Sequence, residues 1–295
     1  MNAKRLVSAI IVVAALLAIS IITVNCSPRM FNQDTYPRID GATAAIPLGE
    51  ILATELLGIS RRNAADFVQF STTHYAYVNL IEGRADIIFV AEPSEDVLAL
   101  AAANDVTLKL TPIGMDAFVF MVNEQNSVDG LTVEQIRAIY TGEITNWSEV
   151  GGNDAPIMAF QRPRNSGSQT IMENVVMQGL TMMEAPTERR PGIMAGMMDV
   201  ISDFENAENS LGYNVFFYAN EMNRRENIKF LAVNGIPVNH DTIRDGSYIF
   251  SGPIYAVTRE NDEPENVIQL LEFLLTEQGQ RLVEQGGFVP ISAAL

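Results

Sequence analysis

The chain has one cysteine, Cys26, and two histidines, His74 and His240, among 295 residues. A single thiol excludes an intrachain disulfide framework and any metal centre built from several cysteines. The histidines lie far apart without metal-ligand spacing, which argues against a histidine-rich zinc centre, and neither a metal nor a cofactor is expected. Positive charge is scarce: 19 lysines and arginines face 36 aspartates and glutamates, a formal net charge of -17. Such a field repels nucleic acid and anionic lipid surfaces as partners. Any site for a small anion must therefore be a local achievement. Internal repeats and low-complexity tracts are absent too.

Long apolar runs are confined to one place that reads as an address. "MNAKRLVSAIIVVAALLAISIITVNCS" sets Lys4 and Arg5 before an apolar run from Leu6 to Val24, the charge and hydropathy order of an export signal. The run is about long enough to span a bilayer and stay as an anchor. Equally, it reads as a lipoprotein signal cleaved before Cys26, although Thr23, Val24 and Asn25 match the lipidation pattern only in part. Both readings tether a soluble domain to the extracytoplasmic face of the cell membrane and assign residues 1–26 to the signal or anchor. Residues 27–35 read as a short polar linker, and the folded part is expected from Tyr36.

With 47% hydrophobic residues the remainder can bury one large core or two modest ones, and two lobes are expected. "AIPLGEILATELLG" carries Leu48, Ile51, Leu52 and Leu56 at helical spacing, with Gly58 as terminator. "RADIIFVAEP" reads as a short buried strand, and "SEDVLALAAAND" as a helix capped by Ser94. "LTVEQIRAIYTG" is a helix with a Thr132–Gln135 capping box and Gly142 at its end. "APIMAFQRP", "LGYNVFFYAN" and "IKFLAVNG" read as strands, and "PENVIQLLEFLLTEQGQRLVEQ" as a closing amphipathic helix. This alternation predicts an α/β protein with mainly parallel sheets. Two long apolar strands, near 116–124 and 247–258, are expected to cross between lobes. The first lobe then comprises 36–118 and 252–295, and the second 119–251.

"QRPRNSGSQT", residues 161–170, precedes a helical pattern with Ser166 at its cap position. Free amides of a first turn and the positive end of the helix dipole make such a start an anion site. Gly167 permits close approach, Ser166 and Ser168 offer hydroxyls, and Arg162 or Arg164 offers a guanidinium fork. The segment lacks the Lys-Ser/Thr ending of a nucleotide-binding loop. "DGATAAIPL" is a second small-residue helix start, with Thr43 as its hydroxyl. Taken singly, each is equally an ordinary helix cap. The methionines at 194, 197 and 198 follow helix spacing and read as packing, and Trp147 as a buried anchor in a turn.

Together "YPRIDGATAAIPL", "STTHYAYVNLIEGRADIIFVAEPSED", "PIGMDAFVFMVNEQNSVDGLTVEQIRAIYTGEITNWSEVGG", "FQRPRNSGSQT" and "GGFVPI" resemble the phosphate-binding proteins of bacterial ABC phosphate importers. The resemblance runs from about Tyr36 to the carboxyl terminus. It implies an α/β, two-lobed, type II periplasmic-binding-protein-like fold with two crossover strands as hinge. It further implies inorganic phosphate as ligand, an ABC permease as partner, and capture without catalysis. The site it implies comprises Ala42, Thr43, Ala44, Thr73, Glu92, Arg162, Ser166, Gly167 and Ser168, with His74 beside Thr73. Glu92 is expected as a buried carboxylate that accepts the proton of bound phosphate and repels sulfate. Its other reading is charge compensation at a helix start, with Glu95 and Asp96.

The chain departs from the family pattern at Ala42 and Ala45, where close relatives carry hydroxyls. Each missing hydrogen bond to a charged ligand is worth about 1.5–3 kcal/mol. A tethered sensor or a binder of another oxyanion therefore stays open. So does a phosphate-ester hydrolase with Ser166 or Ser168 as nucleophile, although no His, Cys or carboxylate cluster offers it a base.

Overall fold

The computed structural model describes residues 29–185, 190–203, 207–260 and 262–291; Cys26 and the rest of the expected signal lie outside them. The strands are β1 (Ile39–Gly41), β2 (Ile87–Val90), β3 (Leu108–Asn123), β4 (Gly130–Leu131), β5 (Met158–Ala159), β6 (Ser210–Val215), β7 (Ile228–Phe230), β8 (Ala232–Val233) and β9 (Ser251–Arg259). Seven form one sheet in the order β1-β2-β9-β3-β6-β5, with β7 also on β3; β4 and β8 pair separately.

β3 organises the molecule. Its 16 residues extend about 50 Å at about 3.3 Å per residue, long enough to serve two halves. Residues 108–117 pair with β9, 118–122 with β6 and 121–123 with β7, all antiparallel. β9 stops short of the second half: residues 248–250 form a bend and turn, and Phe118 N–H donates to Phe250 O at 2.9 Å. The sheet is mixed, not mainly parallel as expected. Parallel pairing is confined to β1–β2, β4–β8 and β5–β6, where helical crossovers link the strands. The crossover strands run back against their neighbours and make the remaining pairs antiparallel.

Burial follows these strands. β2 is apolar throughout because both its faces are covered: Ile87 and Phe89 enter one core, with Leu48, Leu52, Ala256 and Leu270. Ile88 and Val90 enter another, with Tyr77, Leu80 and Val257. A third core surrounds the far half of β3 and includes Phe118, Phe120, Tyr140, Trp147, Tyr213 and Phe250. Trp147 Nε1–H donates to Asn209 O at 3.0 Å, the anchored turn expected for it.

Local signals read from the sequence hold at the caps. Ser94 accepts from Val97 N–H, Thr132 and Gln135 form the capping box, and Gly58 and Gly142 end their helices at φ 63° and 86°. Three segments differ. "FFYANEM" turns helical after Val215 instead of extending β6. The carboxyl-terminal helix is two helices, Glu265–Leu274 and Glu277–Gln285, because Thr276 caps the second. Residues 29–35 are no free linker, since Phe31 is 3% exposed and meets the Tyr36 ring edge-on at 5.8 Å.

Candidate functional site

A cavity of about 400 Å³ lies where β3 and β9 pass between the two halves. Ala42, Thr43, Ala44, Thr73, Glu92, Arg162, Ser166, Gly167 and Ser168 all line it, although they come from segments up to 126 positions apart. His74 is not among the lining residues. It follows Thr73 on the Thr73–Ile81 helix, its ring 5.4 Å from Tyr75 and its Nδ1 buried without a partner.

On one side, β1 delivers the "DGATA" loop to the cavity. A 3-10 turn spans Thr43–Ala45 and runs directly into the Ile46–Leu57 helix, with no side chain capping either start. The first-turn amides of Thr43 and Ala44 thus lack intrahelical acceptors, and the Thr43 hydroxyl is not spent as a cap. Asp40, buried behind the loop, accepts from Gly41 N–H, from Ser71 N–H and Oγ–H, and from Asn79 Nδ2–H. That carboxylate ties the Thr43 loop to the loop carrying Thr72 and Thr73. Thr72 sits at φ 76°, a left-handed conformation that is strained for a β-branched residue and costs about 1–3 kcal/mol.

The facing side starts at Ser166, the cap of the Gly167–Ile171 helix; its hydroxyl accepts from Gln169 N–H at 3.3 Å. A wider π-turn, Met172–Met177, continues that helix. Arg162 is 6% exposed. Its backbone N–H is pinned by Gln169 Oε1 at 3.0 Å and the Tyr213 hydroxyl at 2.9 Å, while its guanidinium reaches Ser168 Oγ at 3.4 Å and Gly192 O at 3.2 Å. Nε has no partner. Among the described residues no carboxylate forms an ion pair with Arg162. Burial therefore pushes its pKa down, the electrostatic signature of a cation held without a counter-ion.

The two sides touch along one rim. A Cβ at Gly167 would lie 2.5 Å from Thr73 Oγ1, so only glycine lets the helix start come this close. Beside it, Arg164 Nη2 and Asn165 Nδ2 donate to the two oxygens of Asp96 at 2.7 and 2.9 Å. The Asn165 hydrogen bond, then that of Arg164, holds the Asp96 carboxyl below its usual range. Arg164, expected only as an alternative guanidinium for the anion, lies on the rim instead.

Glu92 is not the buried carboxylate expected. It stands exposed at the cavity edge, two residues beyond the end of β2, and Tyr255 O–H donates to its Oε1 at 3.2 Å. The deeply placed carboxyl of the cavity is Asp116, which sequence reasoning missed. Its Oδ1 accepts from Ala117 N–H at 2.8 Å and Phe217 N–H at 3.1 Å. Loss of solvent pushes its pKa up to about 7, and the two amide hydrogen bonds only partly oppose this. A lone acid at the head of the apolar run "MDAFVFMVN" was the signal available.

Chemically the arrangement offers one buried cation, hydroxyls from Thr43, Ser166 and Ser168, and unspent first-turn amides, converging from two sides on one cavity. Among the described residues neither serine has a general base as hydrogen-bond partner: Ser166 Oγ bonds Gln169 N–H, and Ser168 Oγ bonds Arg162.

A PBP superfamily domain matches residues 38–278. Among curated proteins, the chain is similar to the phosphate-binding protein PstS of Borreliella burgdorferi, 30% identical over 62% of this chain and 66% of that protein. The phosphate-binding protein PstS of Bacillus subtilis is 25% identical over 71% of this chain and 64% of its own length. The matched part is thus just under two thirds of these relatives. Among solved structures, an ABC transporter substrate-binding protein from Clostridium perfringens with bound phosphate superposes with a TM-score of 0.67 at 25% identity, covering 86% of this chain and 98% of that one. A phosphate transport receptor from Vibrio cholerae shares the fold with a TM-score of 0.63 at 23% identity, over 85% and 98%.

Proposed function

The chain belongs to the PBP superfamily, with the type II α/β fold of its solved neighbours, and from that premise we propose that it captures inorganic phosphate. The single observation that carries this reading is Arg162: a guanidinium buried in a cavity wall, with a donor unspent and, among the described residues, no carboxylate paired with it. A bare buried cation is expensive, and a bound dianion repays that cost. In the proposed site the anion takes the Arg162 fork and the Ser166, Gly167 and Ser168 helix start on one side. Ala42, Thr43 and Ala44 with Thr73 serve it on the other, while Glu92, exposed at the cavity edge, stays outside the anion's donor shell.

The two lobes are proposed as 36–118 with 252–295, and 119–251. The separate cores on either half of β3 support that division. Ligand-driven closure of the lobes would present the loaded form to an ABC permease, with residues 1–26 tethering the protein outside the cell membrane by an anchor or by lipid on Cys26. Capture without catalysis fits serines that, among the described residues, lack a base.

The test is calorimetry of the ligand-stripped protein with phosphate and with sulfate. Saturable one-to-one binding of phosphate is expected, and the sulfate titration reads the selectivity of the site. Absence of saturable heat with phosphate would overturn the proposal.

A further inference from the structure

The cavity is much larger than an inorganic phosphate requires. One water accounts for about 30 Å³ of liquid, so a tetrahedral ion takes the room of roughly two to three waters. About 400 Å³ is available, within the range of sites that hold organic ligands. One rim is already shut, since Gly167 meets Thr73 and Asp96 binds Arg164 and Asn165. Much of the surplus is apolar: Ile171, Val175, Met194, Val215, Phe250 and Ile254 line the cavity, interrupted by Asp116, Asn174 and Ser251. Apolar stretches of this kind give the oxygens of a bare dianion no donors, whereas carbon substituents gain from contact with them. Ala42 adds to this, presenting a methyl group to the cavity beside Thr43.

We propose that the site takes organic phosphates, namely phosphate monoesters or phosphonates with a small apolar substituent, the head in the Arg162 corner and the substituent against the apolar lining that includes Val175 and Val215. The inference rests on the reading of that corner as a phosphate site. One oxygen of the tetrahedral head is replaced by carbon or carries it, and the remaining oxygens keep the donors of Arg162, Ser168 and Thr43.

Calorimetry of the wild-type protein with inorganic phosphate, methylphosphonate, phenylphosphonate and phenyl phosphate separates the two layers. Burying a phenyl group against the wall should tighten binding about tenfold to a hundredfold over inorganic phosphate. Tight inorganic phosphate with the phenyl ligands equal or weaker overturns this inference and leaves the phosphate site standing. No binding by any of the four overturns both. In Val215→Phe, which fills the wall, the phenyl advantage should vanish while inorganic phosphate binds as before; equal loss of both would place the substituent elsewhere and refute the assignment.

Discussion

Replacing Arg162 by methionine separates a binding role from a structural one. The guanidinium gives the protein little: a long contact to Ser168 Oγ at 3.4 Å, one carbonyl at 3.2 Å, and nothing at Nε. The firm hydrogen bonds of the residue, to Gln169 and Tyr213, come from its backbone N–H and survive the substitution. A bound anion accepting two charge-assisted hydrogen bonds would draw about 1.5–3 kcal/mol from each, about 3–6 kcal/mol in all. At about 1.4 kcal/mol per tenfold, Kd for phosphate should rise roughly 10²- to 10⁴-fold. The ligand-free protein, relieved of an unpaired buried cation, should keep or raise its Tm, since apolar replacement of buried charge is often neutral or stabilising. Calorimetric titration reads the first quantity and scanning calorimetry the second. Phosphate affinity within tenfold of wild type, or a fall in the ligand-free Tm matching the loss of binding, would refute the reasoning.

Other outcomes follow from the same geometry. Gly167→Ala pushes a methyl group to 2.5 Å from Thr73 Oγ1, so the rim must part; phosphate affinity should drop at least tenfold and X-ray scattering should show a larger radius of gyration. Arg164→Ala removes an ion pair whose side chains are 72% and 41% exposed and solvent-screened, so affinity should fall less than about fivefold and stopped-flow release should quicken. For Asp116 the folded pKa, about 7, lies above the ordinary 3.8. The folded state holds a proton that the unfolded chain has released, so stability is full below about pH 3.8 and is lost as pH rises through 7. Asp116→Asn should therefore match wild type in urea melts at pH 4 and exceed it by up to about 4 kcal/mol at pH 8.5. An equal effect at both pH values would refute the assignment.

What could be read from the sequence was what short-range chemistry decides. Ser166 caps its helix, Thr132 and Gln135 close their box, and glycines stop helices at 58 and 142 because each needs only its near neighbours. The nine residues grouped through the family resemblance line one cavity because they sit at loop and helix starts, where the pattern is local. The features that were not legible depend on partners far away in the chain. Asp116 holds Phe217 N–H across 101 positions, and "FFYANEM" coils where its apolar composition suggested a strand. Arg164 and Asp96 meet across 68 positions, so neither announces its partner. The Glu92 side chain lies at the edge because β2 ends at Val90, a boundary that composition does not set to within two residues. Phe31 packs under the core although its neighbours, Asn32, Gln33 and Asp34, are those of a linker.

The central claim is that donors from two opposed elements converge on a single anion. Arsenate, isosteric with phosphate and an anomalous scatterer, locates that anion directly in a soaked crystal. An anomalous peak whose surrounding oxygens accept from both the Thr43 amide and the Arg162 guanidinium is the predicted result. A peak bound to one side alone, or none in the cavity, would contradict it.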